Sequence, residues 1–211
     1  LNSFGNGAFR VDPRVMSSIE WASNRSKNFS FGGRLGYMGE ELGGHSGSHS
    51  VYATWRPDDR LAVDLMLSYL DRDGWLLHRG GDVMGTYEAE QVLPGVSLDY
   101  FISAKQQLKF VLQWVGVKAR GQEAYRIPVG DLARDASSDA SVIDFSVSQV
   151  SLQARYRWEL APLSDLFVVY TRQSNQAALL LDQDFGDLFQ NSYRSPLTDA
   201  FVVKLRYRFG S

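Results

Sequence analysis

Five cations stand at every second position of two short stretches. Arg155 and Arg157 alternate with Tyr156 and Trp158, while Lys204, Arg206 and Arg208 alternate with Leu205, Tyr207 and Phe209. Residues two apart share one face of an extended chain. Each stretch therefore presents a cationic column backed by an apolar one. Such columns attract anionic solutes or settle into networks with carboxylates. Arg56 and Lys109 fall at comparable places, with Glu159 and Asp64 as counter-charges.

Other chemistry is thinner. His45 and His49 lie four apart in a Gly/Ser stretch beside Ser46, Ser48 and Ser50, and His78 stands alone. A serine nucleophile needs a histidine oriented toward it, and nothing in the spacing orients these. The two histidines lack a third metal ligand. Asp71, Asp73 and Asp82 are oxygen donors of the kind calcium takes, though such residues are more often merely exposed charges. No metal, no cofactor and no catalytic residue is expected, and the chain leans away from an enzyme.

The 211 residues are 44% hydrophobic and 13% aromatic, enough for one large β domain. A net charge of −2 argues against nucleic acid as a partner. With no cysteine there is no disulfide framework and no thiolate site. No apolar run is long enough for a membrane helix, which needs about 18 residues or more. A β-barrel hides its apolar residues by alternation, and the mean hydropathy of −0.24 is compatible with one.

Nine segments read as strands: 15–25, 28–39, 50–56, 61–69, 83–103, 107–118, 144–159, 166–171 and 200–209, of which 166–171 is apolar on both faces and leaves its orientation open. Leu61, Val63, Leu65, Leu67 and Tyr69 against Ala62, Asp64, Met66 and Ser68 is among the cleanest. Pro94-Gly95 suggests a bulge inside a strand or a break into two. Glycines at 32, 33 and 36 suggest a weak or bent strand. Short turns are expected near 26–27, 57–59, 104–106 and 161–163. Long loops are expected over 39–49, 71–82, 119–143 and 173–198, with a short helix at 184–189; 71–82 also reads as a strand extension.

Short and long connections thus alternate, as in bacterial outer-membrane barrels with short periplasmic turns and long outer loops. The expected fold is all-β: an antiparallel transmembrane β-barrel embedded in outer-membrane lipid, with about nine strands in this chain. Val111, Val115, Leu70 and Phe101 would point inward with the cations and narrow the interior. The final strand would run toward the periplasm and place Phe209 at that rim. There it stands as the aromatic signal for the barrel-assembly machinery, although Gly210 and Ser211 follow it. An odd strand count starting outside implies that this is the C-terminal part of a larger barrel, whose upstream strands or domain lie elsewhere in the polypeptide. Leu1-Asn-Ser-Phe-Gly-Asn-Gly does not resemble a signal peptide, which fits a mature form or a fragment. A complete eight- or ten-stranded barrel and a soluble β-sandwich binding module are the competing architectures.

Ser146 to Arg172, Pro196 to Ser211 and Leu108 to Arg120 carry a resemblance. They resemble an uncharacterised family of outer-membrane proteins in which a module similar to family-nine carbohydrate-binding domains precedes a C-terminal barrel. That resemblance implies that this chain is the barrel's end, with the carbohydrate-binding part upstream. The expected role is transport, anchoring or surface glycan binding, with an anionic solute drawn by the cations, or a glycan, as ligand. It places no catalytic residue here. The competing function is a membrane-embedded hydrolase.

Overall fold

The computed structural model describes residues 11–126, 135–136, 141–178 and 182–209. Nine strands form one antiparallel meander: β1 (Met16–Ala22), β2 (Phe29–Gly39), β3 (His45–Asp58), β4 (Leu61–Gly80), β5 (Val83–Ser103), β6 (Gln106–Arg126), β8 (Phe145–Ala161), β9 (Ser164–Ala178) and β10 (Thr198–Arg206). A two-residue strand, β7 (Asp135–Ala136), pairs with the end of β6, and one helix, α1 (Phe185–Arg194), precedes β10. Every long strand pairs with its neighbours in the chain. Among the described residues the edges of β1 and β10 have no partner strand, so the sheet is open and not a closed barrel.

Register sorts the side chains into two faces. On one, Phe29, Trp55, Val63, Leu98, Phe110, Ala154, Tyr170 and Phe201 stand opposite one another, one from each of the eight strands β2 to β10 on the meander. One residue along, Ser30, Thr54, Asp64, Ser97, Val111, Gln153, Thr171 and Ala200 form the next row, on the other face. Grooves open on this polar face, lined for example by Thr54, Asp64, Ser97 and Gln113. In β2 the polar face is the more enclosed: Ser30 is buried, while Phe29 and Phe31 are exposed.

Short connections join β1 to β2 over 23–28, β3 to β4 at 59–60, β5 to β6 at 104–105 and β8 to β9 at 162–163; β3 keeps Pro57 and Asp58, so that turn lies later than 57–59. The opposite connections differ. The ladder of β4 and β5 continues to Gly80 and Val83, so 71–80 is strand and only a tight turn follows. β3 begins at His45, leaving a connection of a few residues after β2, and β6 runs to Arg126. Strands of 20 and 21 residues reach roughly 65–70 Å at the usual rise. The halves of β4–β6 remote from the turns at 59–60 and 104–105 form the upper lobe of the sheet. It carries Gly74, Gly80, Gly85 and Gly121 and charges such as Asp71, Arg72, Glu88 and Glu123. The parts of the expected loops at 127–134, 137–140 and 179–181 lie outside the described residues.

Pro94-Gly95 makes no bulge. The β4–β5 register runs unbroken through Leu67↔Pro94 and Met66↔Gly95, and β5 is one strand. Proline lacks an N–H and so drops a ladder bond, but no residue is inserted. In these two ladders the shifts lie at Arg72/Trp75, His78/Gly80 and Gly85/Tyr87 in the upper lobe and at Phe101/Ser103 beside the turn into β6. Gly32 and Gly33 leave room for neighbouring rings: the Tyr52 and Trp21 side chains occupy the space a Cβ would need.

Two small cores sit in the lobe. On the continuation of the polar face, Tyr87, Ala89 and Ala119 are buried with Trp75, Leu77, Val142 and Phe145. On the opposite face, Leu76 and Met84 pack with Leu42 and Tyr125. A third core lies under α1, where Trp114, Val150 and Leu188 meet Phe185 and Phe189. The helix starts at Asp184, whose carboxylate accepts from the Asp187 amide at 2.8 Å. At its other end the Arg172 guanidinium donates to the Tyr193 carbonyl at 2.6 and 2.9 Å. Trp114 belongs to the same buried group. It is 6% exposed, because α1 covers it and its indole N–H donates to Ser148 at 2.8 Å.

Candidate functional site

The cations singled out in the sequence gather at the turn end of the polar face, on β8 and β10 with β9 between them. Arg157, Phe167 and Lys204 are ladder partners in one row. Arg155, Val169 and Val202 form the row above, joined to Lys109 and Asp99 through β6 and β5. Glu159, Asp165 and Arg206 form the row below. Arg208 follows the end of β10, and its backbone amide donates to the Ser164 hydroxyl at 3.0 Å. The tight turn after β8 makes the arrangement possible, since it returns the chain as β9 with Asp165 facing the same side as Arg157.

Asp165 organises the cluster. It is 1% exposed, and its two oxygens are shared between two strands. The Arg157 Nε donates to Oδ1 at 2.9 Å, and an Arg206 guanidinium nitrogen donates to Oδ2. The expected counter-charges do not play this part. Asp64 accepts from the Thr54 hydroxyl at 2.6 Å, and Lys109 pairs with Asp99 at 2.8 Å. Asp99 also accepts from Gln107 at 2.7 Å. Asp165 stands beside a turn, just before an apolar run, where a charge usually marks only the strand end. Its position opposite Arg157 across the turn at 161–163 was the available signal.

Six cations (Lys109, Arg155, Arg157, Lys204, Arg206, Arg208) thus face three acids (Asp99, Asp165, Glu159), a surplus of three positive charges. Arg155, Arg157, Lys204, Arg206 and Arg208 are all exposed. Guanidinium and ammonium groups held on one face offer charge-assisted donors to carboxylate or phosphate.

The other candidates separate. Alternation along β3 puts His45 and His49 on one face and Ser46, Ser48 and Ser50 on the other, so no Ser–His pair forms there. His45 stacks with Tyr37 at 6.0 Å and His49 tilts against Tyr69 at 6.3 Å. His78 reaches the Gly81 carbonyl at 2.9 Å. Asp73 accepts from Gln122 at 2.6 Å and Asp82 from Arg126 at 3.0 Å, on different strand pairs. Among the described residues no three metal-ligating side chains converge. Phe209 lies beyond the last ladder pair, 88% exposed and edge-on to Tyr207 at 5.0 Å.

Sequence reasoning missed a second polar knot, at the outer end. Glu40 is buried, and its Oε1 accepts from Arg72 at 3.0 Å and from the Ser46 hydroxyl. The Arg72 guanidinium also covers the Trp75 ring at 4.6 Å. Glu40 falls in the expected loop at 39–49, where nothing in the sequence gives it a face.

Fold and site together define an all-β protein: an open antiparallel sheet, apolar on one face, polar on the other, with cations gathered at one end of the polar face. The chain belongs to the family described as a domain of unknown function, DUF5916, whose model matches residues 4–209. Comparison with curated proteins and with solved structures returns no match.

Proposed function

We propose that this chain is the C-terminal part of a bacterial outer-membrane β-barrel, serving transport, anchoring or surface binding without chemistry of its own. The observation that carries the reading is the apolar row that crosses eight strands without a polar residue, with the polar row beside it on the other face. Lipid asks for this of a barrel wall: apolar outward, polar toward the lumen. The outward residues include Phe29, Phe31, Trp55, Leu65, Phe201, Val203 and Leu205, each about half exposed or more. In water so large a contiguous apolar surface is a liability. The unpaired edges of β1 and β10 await further strands, since a barrel leaves no edge in lipid. Those strands, and a glycan-binding module if one accompanies them, belong to the upstream polypeptide in this reading.

The test is migration on a denaturing gel with and without boiling, using full-length protein from the outer-membrane fraction. A folded barrel runs as a compact band that shifts on heating. A single band under both conditions, with the protein in the soluble fraction, overturns the reading in favour of a soluble β-sheet module.

A further inference from the structure

We propose that the turn end of the polar face is a binding trough for an elongated organic dianion, one with an apolar body and a negative group at each end. The inference deepens the transport-or-binding reading above and rests on it for access to the trough from the lumen.

The shape comes from three strands. Arg157 on β8 and Lys204 on β10 occupy one row and are separated by β9. Two strand spacings put their backbones about 9–10 Å apart. Between them the same row holds Phe167, and the row above holds Val169; both are half-buried and face the trough. Val202 extends this floor toward the open edge, 54% exposed. Arg155 and Lys109 extend the β8 side upward, and Arg206 extends the β10 side downward. An apolar floor between two cationic walls is unlike a general electrostatic patch. A small anion would sit on one wall and leave Phe167 bare. A neutral apolar solute would leave both walls unused. A ligand that lays a hydrocarbon body on Phe167 and Val169 and reaches a carboxylate or phosphate to each wall satisfies all of it.

Asp165 tunes the trough without filling it. Holding the Arg157 Nε and one Arg206 nitrogen, it fixes both guanidiniums at the lower end. It neutralises one of their two charges and leaves both side chains about half exposed or more, at 47% and 59%. Arg155 and Lys204 lie above, so the positive surplus is spread along both walls. The trough is complete within β8, β9 and β10 and needs no strand beyond them.

The experiment is titration calorimetry on full-length protein in a zwitterionic detergent, with three probes. Azelate carries two carboxylates at the ends of an apolar chain of matching length. Nonanoate keeps the chain with one carboxylate, and malonate keeps two carboxylates without the chain. Azelate should bind roughly tenfold more tightly than either, a gap of one charge-assisted contact or one buried chain. Lys204→Gln and Arg155→Gln should each weaken azelate several-fold, and added salt should do the same. Lys27→Gln, at the turn between β1 and β2, should change nothing. Equal binding of all three probes, no azelate binding, or indifference to the Lys204 and Arg155 changes overturns the proposal. A heat-modifiable band retained in that failing case confines the failure to the trough, whereas its loss would count against the barrel itself.

Discussion

The residue that most clearly divides structure from sequence is Tyr87. It is fully buried in the upper lobe, with Arg79 over its ring at 5.5 Å, and its hydroxyl finds no partner among the described residues. Burial pushes its phenol up from the ordinary value, assisted by Asp144 and opposed by Arg79. An orphaned buried hydroxyl costs about 1–3 kcal/mol, so Tyr87→Phe should leave stability unchanged or raise it by up to ~1 kcal/mol in urea melts. The pH dependence has a fixed sign. A folded pKa above the unfolded value of about 10 gives stability that is complete below pH ~10 and lost as pH rises through the folded value. Wild type should therefore weaken more steeply above pH ~10 than Tyr87→Phe; parallel curves would show that the phenol ionises freely. None of this was legible beforehand, because residue 87 lies in a stretch whose partners at 142–145 come from across a long connection. The cations at 155, 157, 204, 206 and 208 were legible, since period-two spacing fixes a face wherever the strand falls. Asp165 was not, because its role depends on the turn returning it beside Arg157. Its removal is the sharper test of the network. Asp165→Asn should leave Arg157 and Arg206 facing each other and lower the melting point of the folded band, and a second change, Arg206→Gln, should recover part of the loss.

At the scale of elements, alternation showed nine strands and the two faces of most of them; 166–171, apolar on both faces, took its orientation only from the register with β8 and β10. What it missed lies where alternation stops. β4 gains a register shift between Arg72 and Trp75 beside Gly74, whose φ is +89°. The shift inverts the odd–even pattern, so Asp71 to Asp82 looks like loop although its ladder bonds continue. The helix is a different case. Its expectation rested on a short run at 184–189, but its place could not be read, since Trp114 and Val150 look like lipid-facing positions. Buried serines tie it down. Ser148 donates to the Leu188 carbonyl at 2.9 Å, and Ser174 bonds Ser192. Phe185 and Phe189 close edge-on against Trp114 at 6.2 and 5.5 Å. Trp114→Ala removes the ring on which the helix rests and should cost ~3–5 kcal/mol, as for other buried aromatics. Limited proteolysis should then cut within 185–194 before the strands, whereas wild type resists there. Cutting at the same rate in both would mean that α1 is not held by this contact.

For the whole molecule the decisive question is which solvent the apolar face meets, and register makes it a matter of one residue. Leu98 and Ser97 are neighbours on β5, in the middle of the two rows. Leu98 stands between Val63 and Phe110, and Ser97 between Asp64 and Val111. They share a strand, a depth and a backbone environment, and differ only in the face they present. If the apolar face meets lipid, Leu98→Arg places a guanidinium near the middle of the bilayer and costs about 2–4 kcal/mol. Ser97→Arg places it on the lumenal face beside Asp64 and costs far less. If the face meets water, the order changes: an arginine on an exposed apolar sheet is tolerated and improves solubility, and the two variants become alike. Urea unfolding of both variants refolded into phosphatidylcholine vesicles should therefore show Leu98→Arg falling well below wild type, with Ser97→Arg close to it. Equal midpoints for the two would remove the lipid-facing wall from the account, and with it the reason for reading the open edges of β1 and β10 as places where further strands belong.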